Sequence, residues 1–116
     1  MSKYKDLKPF EKRKQPSFKY PDGREVSGKL LDEVYVDSQD IDDNTKGTVY
    51  RNLVQKIQLE NGEEVFRFCY YMINLDVTEP NWSFSRFALM VNEEEFKELL
   101  NKMNEKGWIN TIIEFI

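Results

Sequence analysis

Basic residues interleaved with aromatic ones carry the most chemical content in this sequence. Near the N-terminus Tyr4, Phe10, Phe18 and Tyr20 lie among Lys12, Arg13, Lys14 and further lysines. Later, Arg67 sits between Phe66 and Phe68 with Tyr70 and Tyr71 following, and Arg86 lies between Phe84 and Phe87. Such a pattern suits a polyanion with flat bases: the cation holds a phosphate while a neighbouring ring stacks a base. Lys12, Arg13, Lys14, Arg67 and Arg86 are therefore the candidate phosphate contacts, with Tyr70 or Tyr71 as the stacking ring. The competing reading is an aromatic core whose arginines snorkel to the margin of a sheet.

Other chemistries lack their residues. The chain has no histidine, which removes the commonest general base, the Ser-His and Cys-His nucleophile systems and most zinc or non-haem iron sites. One cysteine, Cys69, cannot build a thiolate metal cluster, and it falls in the most apolar stretch, where an inert buried thiol is expected. No glycine-rich phosphate loop is present. Asp22 with Glu95 and Lys97 matches a metal-dependent nuclease pattern in letters only. Residues two apart in the first turn of a helix do not face the same way. Asp37, Asp40, Asp42, Asp43 and Asn44 offer oxygen ligands for a hard cation, but a displaced glycine and a missing closing glutamate leave a solvated acidic loop as the simpler account. No catalytic, cofactor-binding or metal-ligating set is assigned, and an enzyme is not expected.

Charge is distributed unevenly. Residues 1–20 hold seven basic groups against Asp6 and Glu11, a balance of +5 in a chain of net charge −4, so the remainder carries −9. A basic arm on an acidic body is the result: the arm attracts nucleic acid that the body repels. The 116 residues, 40% apolar and 14% aromatic, suffice for one core. No apolar run approaches the ~20 residues that span a bilayer, and the charged N-terminus has no secretory apolar stretch. With a single cysteine, the reducing cytoplasm is the expected compartment.

The elements that must position these residues follow from periodicity. Residues 1–16 have no clean period and read as an extended arm, with 17–116 as a single domain. Pro21-Asp22-Gly23 marks a turn. From Arg24 to Val36 a strand, or a bent pair of strands, places Val26, Leu30, Val34 and Val36 on one face and Leu31 and Tyr35 on the other, with Gly28 as a bulge. Residues 50–60 fit helix or strand, and Asn61-Gly62 decides for a hairpin with a two-residue turn. Residues 64–73 are apolar on both faces and predict a central strand covered on each side. In it Arg67, Cys69 and Tyr71 share one face, and Phe66, Phe68 and Tyr70 the other.

Residues 82–91 predict another strand, and 109–116 a short edge strand. Asn92 and Glu95 make a capping box for a helix over 92–106, with Phe96, Leu99, Leu100 and Met103 as its apolar stripe and Gly107 as its terminator.

The fold class expected is α+β: an antiparallel sheet of four to six strands with one C-terminal amphipathic helix packed on one face. Strands followed by a helix resemble the arrangement in whirly-type single-stranded DNA-binding domains, a likeness of element order without a shared motif. The resulting expectation is a non-catalytic binding module for single-stranded DNA or RNA. The alternative is a protein-interaction domain (adaptor, inhibitor or homodimer) using Trp82, Phe84 and the 112–116 tail.

Overall fold

Among the described residues, five antiparallel strands follow one another as a meander and one helix comes after them. They are β1 (Ser17–Lys19), β2 (Glu25–Gln39), β3 (Thr48–Leu59), β4 (Glu64–Asn74), β5 (Ser83–Ser85) and α1 (Glu93–Glu105). The sheet curls, and the expected α+β class holds. This computed structural model describes residues 6–39, 47–85 and 89–109. Arg86, most of the acidic loop and the 110–116 segment lie outside the described residues. Among them, strand is confined to 83–85 where 82–91 was expected. No helix of the described residues is long and apolar enough to cross a membrane.

Two hairpins close with the same device. Gly23 and Gly62 have φ near +90°, each donating its N–H to the residue three positions back, Tyr20 and Leu59. Asp22 and Asn61 hold the backbone two residues on, accepting from Arg24 and Glu63. No non-glycine residue has positive φ among those described, so Asn61 is not part of a two-residue turn. The observed loops have three residues, with glycine alone in the left-handed region.

β2 departs from simple alternation. Leu30 pairs with Ile57 but Asp32 pairs with Lys56, so Leu31 is the extra residue of a bulge. The bulge swaps faces. Leu30 packs with Ile57 and Leu59, whereas Val34 and Val36 pack with Val54, Leu99 and Met103 on the other side of the sheet. The expected grouping of these even positions is therefore wrong beyond Leu30. Gly28, the expected bulge, serves close packing instead: a Cβ there would meet Ile57 Cγ2 at 2.6 Å.

α1 behaves as its caps dictate. Asn92 Oδ1 accepts from Glu95 N at 2.8 Å, and Glu95 Oε1 accepts from Asn92 N at 2.9 Å. Beyond the helix Gly107 is left-handed, its N–H reaches Asn104 O, and Trp108 N–H reaches Met103 O. These two bonds are the pair a glycine terminator makes. Leu99 and Met103 are buried, each contributing roughly 1.5–3 kcal/mol by leaving water. Phe96 does not join them; it is 45% exposed. Lys102 Nζ reaches the Tyr35 carbonyl at 2.6 Å and Lys106 pairs with Asp32 at 3.2 Å, tying the helix to β2. The helix covers β2 and β3, so β3 is the most buried strand. β4 lies between β3 and β5, as expected of a central strand, but α1 leaves one of its faces half open, contrary to the cover expected on each side, with Phe66 and Phe68 41% and 48% exposed.

The segment expected to be an extended arm is docked from residue 6 onward. Phe10 packs on the Leu30–Ile57–Leu59 cluster, and Gln15 Oε1 accepts from Leu30 N at 2.9 Å. A 3-10 turn at Phe10–Lys12 bends the chain across the sheet face opposite α1.

Candidate functional site

Register decides what stands on that second face, the groove face. Glu33, Gln55 and Arg67 lie directly opposite one another across β2, β3 and β4. Asp37, Arg51, Tyr71 and Phe84 form a second row reaching β5. Both rows depend on the bulge at Leu31, because without it Glu33 and Asp37 would point toward the helix.

Three arginines share this face, each between aromatic rings and each held differently. Arg51 makes a two-pronged contact with Asp37 (2.8 and 2.9 Å), has Asp6 at 3.7 Å, and lies 4.0 Å over Tyr35 and 4.9 Å over Trp82. Arg13, docked from the N-terminal segment, stands 2.6 Å from Glu33, with both side chains about nine-tenths buried. Its buried Nη1 has the carboxylate's charge beside it but no aligned hydrogen bond, while its Nε donates to Lys8 O at 2.6 Å. Phe10 and Tyr71 lie 5.2 and 5.8 Å from its guanidinium.

Arg67 is held by a neutral group. Gln55 is fully buried, and its Oε1 accepts from Arg67 Nε at 3.0 Å and Nη2 at 2.7 Å. Its Nε2 donates to Glu33 Oε2 at 3.3 Å. The amide can point only this way, since a guanidinium offers donors alone and a carboxylate acceptors alone. Phe18 and Phe84 flank Arg67 at 5.7 and 4.9 Å.

Between the N-terminal segment and the β4–β5 edge runs a groove of about 840 Å³. Among the described residues its cationic lining is Lys8, Lys12, Arg13, Lys14 and Arg67, its rings are Tyr71, Trp82 and Phe84, and its acid is Asp6. Lys8, Lys12 and Lys14 are exposed and pair with no described carboxylate. Tyr71 and Phe84 meet edge to face at 5.3 Å. Burial pushes the Tyr71 hydroxyl above its ordinary pKa, so the ring is neutral across the physiological range. Burial likewise pushes the Cys69 thiol up to about 11, against the lowering effect of Arg67. With its Sγ only 3.4 Å from Gln55 Oε1, Cys69 is a protonated packing group.

Of the residues singled out in the sequence, Lys12, Arg13, Lys14, Arg67 and Tyr71 all line this groove. One described candidate does not join them. Tyr70 stands on the helix face, packed edge to face on Tyr50 at 5.9 Å, because adjacent strand residues point oppositely. Arg86 lies outside the described residues. Arg13 lines the groove with the Glu33 carboxylate beside its guanidinium. Gln55 and Glu33 were missed. The available signal was Gln55 itself, a polar residue between Leu53 and Ile57 on a buried face, which must have a partner there. Trp82 and Phe84, expected at a protein interface, line the same groove.

No group of three or more His, Cys, Asp or Glu among the described residues is arranged to hold a metal ion. Compared with known proteins, the chain matches no family model, no curated protein and no solved structure.

Proposed function

We propose that this chain is a non-catalytic module that binds single-stranded nucleic acid in the groove between its N-terminal segment and the β4–β5 edge. The observation that carries the reading is the meeting of Lys8, Lys12, Lys14 and Arg67 with Tyr71, Trp82 and Phe84 in one groove of about 840 Å³. Lysines and Arg67 neutralise phosphates along the strand, and the rings provide faces for unpaired bases. A duplex keeps its bases stacked inside and offers nothing to these rings. The acidic remainder of the surface restricts binding to the groove.

The test is a fluorescence titration of labelled single-stranded DNA, single-stranded RNA and duplex at low and physiological salt. Preference for single strands is expected, with four phosphates neutralised and a log–log salt slope of roughly −3. Arg67→Ala is expected to weaken binding about tenfold, the worth of one charge-assisted contact. No binding at low salt overturns the proposal.

A protein partner, a second copy of the chain included, is the other reading. It is favoured by Phe66 and Phe68, exposed on the half of β4 that α1 leaves open. Association there would respond little to salt, and sedimentation at rising concentration would register self-association.

A further inference from the structure

We infer that Gln55, which the groove's occupant never touches, is the residue that makes Arg67 an anion site, and that this site takes a single phosphate group. The inference rests on the nucleic-acid reading and names the phosphodiester anchor within it. Its ground is the contrast among three arginines on one face. Arg51 has Asp37, and Arg13 has Glu33, so each guanidinium has a carboxylate beside it. Arg67 donates through Nε and Nη2 to the neutral Gln55 oxygen, and no described carboxylate lies within ion-pair distance of it.

The geometry fixes the fork without cancelling its charge. Nε and Nη2 are used on Gln55, and Phe18 and Phe84 close on the guanidinium plane from the aromatic side. Nη1 bonds to no described residue and Nη2 keeps its second hydrogen, both on the residue that reaches the groove. That suits one phosphate oxygen pair in a site already oriented, with a base carried onto the half-exposed ring of Phe84. Gln55 is itself oriented by Glu33, so the rung Glu33–Gln55–Arg67 passes position along the row but keeps the negative charge one residue away. Gln55 is thus a positioning residue. A glutamate in its place would have nearly the same shape and would convert Arg67 into a third matched pair, at the cost of setting a second carboxylate against Glu33 where Gln55 now donates.

The experiment compares oligonucleotide binding by the full chain, Gln55→Glu and Arg67→Ala across a salt series. Gln55→Glu is expected to weaken binding about tenfold and to make the salt slope shallower by about 0.7, the share of one phosphate on a single strand. Arg67→Ala added to Gln55→Glu should then cost nothing further. A merely structural role for Gln55 would lower the melting temperature and leave the slope of the folded fraction unchanged, and that outcome overturns the inference with the nucleic-acid reading intact.

A second measurement needs no variant. Inorganic phosphate is titrated into the wild-type protein while the Arg67 Nε–H resonance is followed by NMR. A saturable shift is expected at Arg67 and none at Arg51 or Arg13. Its absence overturns the phosphate site even if oligonucleotides bind elsewhere in the groove. If phosphate shifts Arg67 but no oligonucleotide binds at low salt, the nucleic-acid reading falls and a small phosphorylated ligand takes its place.

Discussion

On the helix face of the sheet, Val34, Val36 and Val54 meet Leu99 and Met103 in an apolar cluster. On the groove face of the same strands, Arg13, Arg51 and Arg67 lie among Glu33, Asp37, Gln55 and aromatic rings. The strands are shared, so the difference arises from alternation plus the bulge at Leu31, which moves Glu33 and Asp37 onto the groove side. An apolar face tolerates imprecision in placement. A buried polar face does not, because every unmatched group costs desolvation. The groove face therefore has the more specific architecture, and of its three arginines Arg67, held by Gln55, is the one with no described carboxylate beside it.

Separation of the two faces has measurable consequences. The largest belongs to the helix face. Leu99→Ala is expected to cost about 3 kcal/mol in urea unfolding, because Leu99 is fully enclosed and its removal leaves a cavity. Oligonucleotide affinity of the folded fraction should be unchanged; a parallel loss of affinity would break the division of labour between faces.

A smaller effect belongs to the groove face. The Cys69 thiol has its pKa raised from 9.0 to about 11 in the folded chain. The unfolded chain therefore loses this proton first as pH rises. Stability from this source is full below pH 9 and falls as pH climbs through about 11, by about 2–3 kcal/mol in all. Cys69→Ala should flatten that part of the stability curve relative to wild type, and identical slopes for the two proteins would contradict the burial of the thiol.

The smallest effect tests the helix end, remote from the groove. Asn92→Ala removes half of the capping box and is expected to cost about 1 kcal/mol, read by thermal melting, with no change in binding.

Local chemistry made much of the fold readable. The Asn92–Glu95 box and Gly107 bounded α1 because caps satisfy backbone groups within a few residues. Asp22-Gly23 and Asn61-Gly62 marked the hairpins, though not that each loop has three residues. Clustered lysines and alternating Arg67 and Tyr71 pointed to the groove, and that same alternation separates Tyr70 from it.

The sequence by itself determined an antiparallel sheet, the helix after it and the cationic, aromatic character of one face, since propensity, capping and period-two alternation act over a few residues. Tertiary structure alone decided the rest: that residues 6–16 dock and wall a groove, that a one-residue bulge aligns Glu33, Gln55 and Arg67, and that each arginine meets an acid or an amide. Those outcomes are set by register between strands distant in the chain. A slip of one residue exchanges every inward side chain for its outward neighbour, and no local preference encodes that choice.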